Sequence, residues 1–329
     1  MPHEKGYLMS IRPINPPVPA HARPFRARFF SQWDVQIMVI PGIIFLFIFA
    51  YIPIYGVMMA FQEFRIGDFP GFSAWVGLKH FRELIIKDPK FPVLMRNTLA
   101  LSALKLLINF PAPIIFAVFI NEIRKPRFKK SVQTISYLPH FISWVVAARL
   151  MFDFFSTDSG AVNEILMVLH IIEKPIPFFL RGEYYWWMAV VTDLWKEIGW
   201  SSIIFLAAIS SVDAELYEAA DIDGATQVGK VWHITIASIR PTIVILLIFT
   251  VGNLMNANFD QAYMLTNQMG NRVLLGYADV FQTYVLRVGI AQTRFSFAAA
   301  AGLFVAAINF VLLLSANKLA DKLGETALF

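Results

Sequence analysis

SVDAELYEAADIDGATQVGKVWHITIASIRP, residues 211–241, is the stretch on which the fold turns. Asp213 is suited to capping a helix, and Glu215 follows in the first turn, where a negative charge meets the positive helix end. The pattern predicts a short helix ending near Gly224, the residue type that most readily adopts the left-handed conformation at a helix C-terminus. A second helical stretch is predicted from Ala225 to Ile236, continuing until Pro241 opens the next apolar run. This helix–Gly–helix is too polar to cross a bilayer. Its Ala219–Ala220 pair permits close approach of a partner, so it reads as a docking element between two membrane segments.

Working outward, the rest of the chain supplies those segments. Hydrophobic residues make up 57% and charged residues only 16%, against roughly 25% charged for a water-covered surface. A mean hydropathy of +0.58 together with 31 Phe is more apolar surface than one soluble core buries. The fold class expected is an all-α polytopic membrane protein. A bilayer core needs about 20 mostly apolar helical residues, and about six transmembrane helices are predicted, at 36–60, 98–120, 132–155, 186–210, 242–258 and 296–316. Ser296–Gly302 offers small residues for close helix packing. The third and fourth spans carry Arg149 and the trio Asp193, Lys196 and Glu197, which points to burial in a bundle or beside a water-filled cavity.

The first 34 residues carry six Pro and five basic residues and no early apolar run, so a cytoplasmic basic tail is expected instead of a cleaved signal peptide. The short loop 121–130, NEIRKPRFKK, holds five basic residues in ten. The positive-inside rule places it in the cytoplasm, and with it both termini and the 211–241 loop. Loops 61–97, 156–185 and 259–295 then face outward. In the last of these, Val273, Tyr277, Val280, Phe281, Tyr284 and Val288 recur at helical spacing and predict an amphipathic helix. The net charge of +5 is what cytoplasmic loops collect, so no nucleic-acid partner is implied. With no Cys there is no disulfide framework or thiolate chemistry.

Glu218-Ala219-Ala220, three residues, Gly224, nine residues and Ile234 resemble the EAA signature of binding-protein-dependent ABC importer permeases. LWKEIGWSSIIFLAAI before the loop, NFDQAYML after it and FSFAAAAGLFVAAINFVLLLSANKLA near the end are similar to the sugar and polysaccharide branch, including permease subunits of bacterial alginate importers. Ala237 departs from the pattern, standing where the family usually has Pro, and Ile236 stands for Leu. The resemblance implies the type I ABC importer permease fold, with a tail (1–34), a first helix and external loop (35–95), a permease core (96–320) and a C-terminal cytoplasmic tail (321–329). It further implies a coupling helix whose Glu218, Ala219, Ala220, Asp223 and Gly224 meet an ATPase. The implied partners are two ATP-binding subunits, which hold ATP and Mg, a second permease subunit and an extracytoplasmic substrate-binding protein. The setting implied is the bacterial inner membrane.

No cofactor, metal site or catalytic residue is expected in this chain itself. Gly224-Ala-Thr-Gln-Val-Gly229-Lys230-Val231 nearly matches a P-loop, but Val231 has no hydroxyl for Mg and a helix precedes the first Gly. The six His show no metal-ligand spacing. Candidate substrate-path residues are Lys105, Trp144, Arg149, Trp195, Asn253, Asn256 and Asp260. The two cations either snorkel and pair or form a lining that attracts an acidic saccharide such as alginate. The two Trp either pack or stack on a sugar ring, with Asn253, Asn256 and Asp260 supplying hydrogen bonds. Asp193, Lys196 and Glu197 share a helix face and are expected to pair with one another. An ion-coupled secondary transporter using Asp193 or Glu197, or a membrane-embedded glycosyltransferase, remains the alternative class, and neither accounts for the 211–241 loop.

Overall fold

The computed structural model describes residues 33–68 and 71–328, with backbone alone at 34 and 35. The basic tail lies outside the described residues up to position 32. The chain divides into two compact units between Tyr55 and Gly56. The first contains most of α1, which runs from Trp33–Leu46 through a π turn at Phe47–Tyr51 and Ile52–Ile54 to a 3-10 turn at Tyr55–Phe61. Residues Gln36–Phe61 are long and apolar enough to cross a membrane, and they are apolar on every side, as a lipid-facing helix requires.

The second unit is a helical bundle. α2 (Phe91–Ile108) and α3 (Pro111–Glu122) follow each other across two residues and together make a second apolar span. Pro111 occupies the first turn of α3, where its missing N–H costs nothing. α4 (Pro126–Tyr137) runs into a 3-10 turn at Leu138–Phe141 and is followed by α5 (Trp144–Phe154). The two arms meet at 105°, so the span expected at 132–155 is not one straight helix. Ile142 and Ser143 are extended, and Ser143 Oγ accepts from Val146 N–H to start α5 afresh.

α6 (Tyr185–Ser210) is a single 26-residue helix, about 39 Å long at 1.5 Å per residue. It packs along α3, and from its end α7 (Ala214–Ile222) projects. α8 begins at Gln227–Lys230, passes through a π turn at Val231–Ile236 and continues as Ala237–Gly252. Pro241 lies inside this helix instead of opening it. Its ring removes one backbone donor, a loss that a membrane bundle tolerates where neighbours take over the freed carbonyl. The span expected at 242–258 therefore shifts upstream. It stops at Gly252, and the polar residues 253–258 are irregular.

The amphipathic stripe at 273–288 does not form one helix. α9 (Phe259–Leu265), α10 (Arg272–Ala278) and α11 (Phe281–Leu286) are separate short pieces. At the break Asp279 and Val280 are extended and the Val280 N–H donates to Thr283 Oγ1 at 3.0 Å to start α11 afresh, while the buried Asp279 carboxylate accepts from Thr283 Oγ1 at 2.9 Å and pairs with Arg287 at 2.5 Å. A buried carboxylate needs such partners. Val280, Phe281 and Val288 still face the core. α12 (Phe295–Lys322) closes the bundle. Its small residues allow the close approach expected of them: Ser296, Ala298, Ala300 and Ala301 are buried, and a Cβ on Gly289 would lie 3.0 Å from that of Ala298. By length and composition the described residues hold four membrane-crossing helices, or five counting the bent pair. α6 has the length to cross as well and carries three charged residues.

Candidate functional site: a docking loop and a polar cavity

Two sites stand at different levels of the bundle. The first is the loop after α6. Asp213 caps α7 by accepting from Glu215 N–H at 3.0 Å. Gly224 has φ +74°, and the C-terminal carbonyls of α7 are taken up by Asp223 N–H to Ala219 (3.0 Å), Gly224 N–H to Asp221 (3.2 Å) and Ala225 N–H to Ala220 (2.9 Å). Glu218, Ala219, Asp223 and Gly224 are all exposed, with Ala220 half-buried. Apolar Leu216, Ile222, Val228 and Trp232 are also exposed, Ile222 at 88%. Uncovered apolar side chains on a polar helix are what a docking element presents.

The loop is braced to the bundle. Tyr217 Oη and Thr235 Oγ1 share a hydrogen bond at 2.9 Å, Lys230 Nζ pairs with Asp221 at 2.7 Å, and Gln227 Nε2 donates to Glu122 on α3. Lys230, the lysine of the near-P-loop, is thus committed to a carboxylate, and Gly229 lies within α8.

The second site is a cavity of about 790 Å³ between α2, α3, α6 and α8. Its charged lining is Lys105 and Asp193, which form a 3.2 Å ion pair with both side chains largely buried. Amides hold the pair from every side. Asn109 donates to Asp193 Oδ2 at 2.8 Å, Asn258 donates to Oδ1 at 3.2 Å, and Lys105 also donates to Gln261 Oε1 at 2.7 Å. Such a network supplies the partners without which two buried charges would be costly. Ser102, Ser201, Thr250, Asn253 and Asn256 add hydrogen-bonding groups, and Trp200, Phe249 and Phe110 add aromatic faces.

Of the residues singled out from sequence, Lys105, Asn253 and Asn256 line this cavity. Trp144, Arg149, Trp195 and Asp260 are not among its lining residues. Arg149 is paired with Asp153 on its own helix at 3.3 Å and is 77% exposed. Asp260 is exposed in the first turn of α9. Trp195 packs into a buried cluster with residues of α5 and α9, and Trp144 lies 5.4 Å from the buried Lys196 ammonium.

The trio on α6 does not pair as one cluster. Asp193 reaches across to α2, whereas Lys196 and Glu197 (3.1 Å) turn to the bend of the α4–α5 pair. There Lys196 donates to the His140 carbonyl at 2.7 Å, and Glu197 meets His140 Nδ1 at 2.6 Å, with the imidazole stacked on Trp200. Asn109, Asn258 and Gln261 were not anticipated, although a lone Asn inside the apolar run 98–120 is the kind of intramembrane polar residue that marks such a site.

The geometry has parallels in known proteins. Residues 109–324 match the family described as binding-protein-dependent transport system inner membrane component. The chain is 41% identical to Protein LplB of Bacillus subtilis (strain 168), covering 91% of this chain and 92% of that one. It is 42% identical to the polygalacturonan/rhamnogalacturonan transport system permease protein YteP of the same strain, covering 92% of each. A crystal structure of a bacterial ABC transporter involved in import of the acidic polysaccharide alginate matches with a TM-score of 0.80 at 36% identity, over 90% of this chain and 98% of that chain. A bacterial alginate ABC transporter in complex with alginate pentasaccharide-bound periplasmic protein matches with a TM-score of 0.81 at 35% identity, over 92% and 99%.

Proposed function

Because the chain belongs to the binding-protein-dependent transport system inner membrane components, the permeases of ABC importers, we propose that it forms half of the translocation path of an ATP-driven importer of acidic oligosaccharides. The single observation that carries the coupling is the exposed α7, bonded to α8 through Tyr217 and Asp221 while Leu216 and Ile222 stay uncovered. In this reading Glu218, Ala219, Ala220, Asp223 and Gly224 seat against one of two cytoplasmic ATP-binding subunits, which hold ATP and Mg. A second permease subunit completes the path, and an extracytoplasmic binding protein delivers the substrate. Both termini lie in the cytoplasm of a bacterial cell whose inner membrane the chain crosses.

ATP closes the ATPase pair, and α7 transmits that movement to α6 and α8, between which it is spliced. The cavity beside Lys105, Asn253 and Asn256 then alternates its access between the two sides, a population shift driven by the differential affinity of ATP for the closed state. The saccharide class is supported by relatives named for polygalacturonan/rhamnogalacturonan transport and alginate import. Lys105 and Arg149 no longer argue for an acidic cargo, since each is matched by a carboxylate. Ion-coupled transport and glycosyl transfer give way to the family. Native mass spectrometry of the complex extracted from its own membranes tests the assembly. Two ATPase copies with one further permease are expected, and a stable monomer or homodimer without ATPase would overturn the reading.

A further inference from the structure

Lys105 and Asp193 lie on different helices and face each other across the cavity wall, so the charge of each is spent on the other. Among the described residues that line the cavity no other charged side chain occurs. The groups that remain to meet a substrate are amides, hydroxyls and aromatic faces. Asn109 directs its two N–H donors to Asp193 and to the Val190 carbonyl, so its amide serves the ion pair.

We infer that Asp193 is a specificity-determining residue: by masking Lys105 it makes this half of the path indifferent to substrate charge, so that the cavity recognises the hydroxyls and rings of a saccharide and leaves discrimination of acidic from neutral chains to the binding protein. The inference rests on the saccharide reading above. It makes the permease permissive by design. A bare ammonium in a site of low dielectric would hold a polyanion tightly, and a transport path must release its cargo as readily as it accepts it.

The test uses the assembled permease–ATPase complex purified without its binding protein. Equilibrium dialysis measures the affinity for trigalacturonate and for its methyl ester, which keeps the ring and hydroxyls and removes the charge. In the wild type the two bind within about threefold of each other, with little dependence on salt. Asp193→Asn, which keeps the side chain's shape and one of the two acceptor oxygens that Asn109 and Asn258 use, shifts the ratio toward the acid by about tenfold, the order expected of one unmasked charge contact, and makes it salt-sensitive. The double variant Asp193→Asn/Lys105→Gln returns the ratio to that of the wild type. A wild-type preference for the acid that Asp193→Asn leaves unchanged overturns the inference while the saccharide reading stands. Binding of neither probe by any variant overturns both.

Discussion

Gly224→Ala is a perturbation whose cost lies almost wholly in the backbone. A Cβ at this position meets nothing within 4 Å, so no packing is lost or strained. Gly224 has φ +74°, and holding an L-residue in the left-handed region costs about 1–2 kcal/mol. Relief of that cost unwinds the end of α7 and gives up the Ala225-to-Ala220 and Asp223-to-Ala219 bonds. The fraction of complexes with a correctly ended α7 falls accordingly, by a factor of about 5–30. Asn tolerates the left-handed conformation better, so Gly224→Asn is expected to lie between wild type and Ala. The assay is oligosaccharide moved per ATP hydrolysed in proteoliposomes, at equal amounts of assembled complex. Gly324→Ala is the control, because Gly324 has φ +72° and an equally open Cβ position at the end of α12. It shares the backbone cost but leaves the coupling ratio unchanged. If Gly224→Ala couples like the wild type, or if Asn falls as far as Ala, the argument from backbone conformation is refuted.

Gly199→Ala drives a Cβ into the Ser136 carbonyl, forcing α6 away from α4. A loss of about 3 kcal/mol, near the upper end for overpacking, is expected. A lower thermal midpoint and yield of assembled complex in detergent would register it, and an unchanged midpoint would show that the helices do not approach so closely. In the loop after α1, the hydrogen bond from Lys79 and its charge hold the Glu63 carboxyl below the usual carboxylate range. Its contribution is therefore present above the unfolded-state pKa and is lost as pH falls through the depressed folded-state value. Both side chains are about half exposed, so the effect stays below about 1 kcal/mol, read as the difference in thermal midpoint between wild type and Lys79→Met from neutral to acid pH.

Features set by neighbouring residues were legible in the sequence. Asp213 and Gly224 declared the two ends of α7 because capping is local chemistry, and the apolar runs of α1, α2–α3 and α12 declared themselves by length. Features made by distant partners were not. Asp193 appeared to belong with Lys196 three residues on, but its charge partner lies 88 positions earlier on α2, and helical spacing carries no information about that crossing. The stripe from Val273 to Val288 has one face, yet Asp279 and Val280 are extended and interrupt the helix that would carry it. Pro241 read as a helix start because N1 is its commonest place, whereas α8 is long and apolar enough to continue through it. The bend at Ile142–Ser143 lay in plain view as a Pro followed by a Ser cap, masked by the apolar run on both sides.

The π turn at Val231–Ile236 is, in the arithmetic of register, one surplus residue between the Thr226 cap and the membrane-crossing part of α8. One residue of α-helix is about 100° of rotation and 1.5 Å of rise. Deleting a residue there would alter composition hardly at all, yet it would swing Gln227–Lys230 by about 100° around the axis and carry Asp221, through its bond to Lys230, to a new azimuth. The aim of α7 is thus written in a count of residues. Exposed side chains of this turn can be exchanged while Thr235 keeps its bond to Tyr217, but the length cannot change without pointing α7 somewhere else.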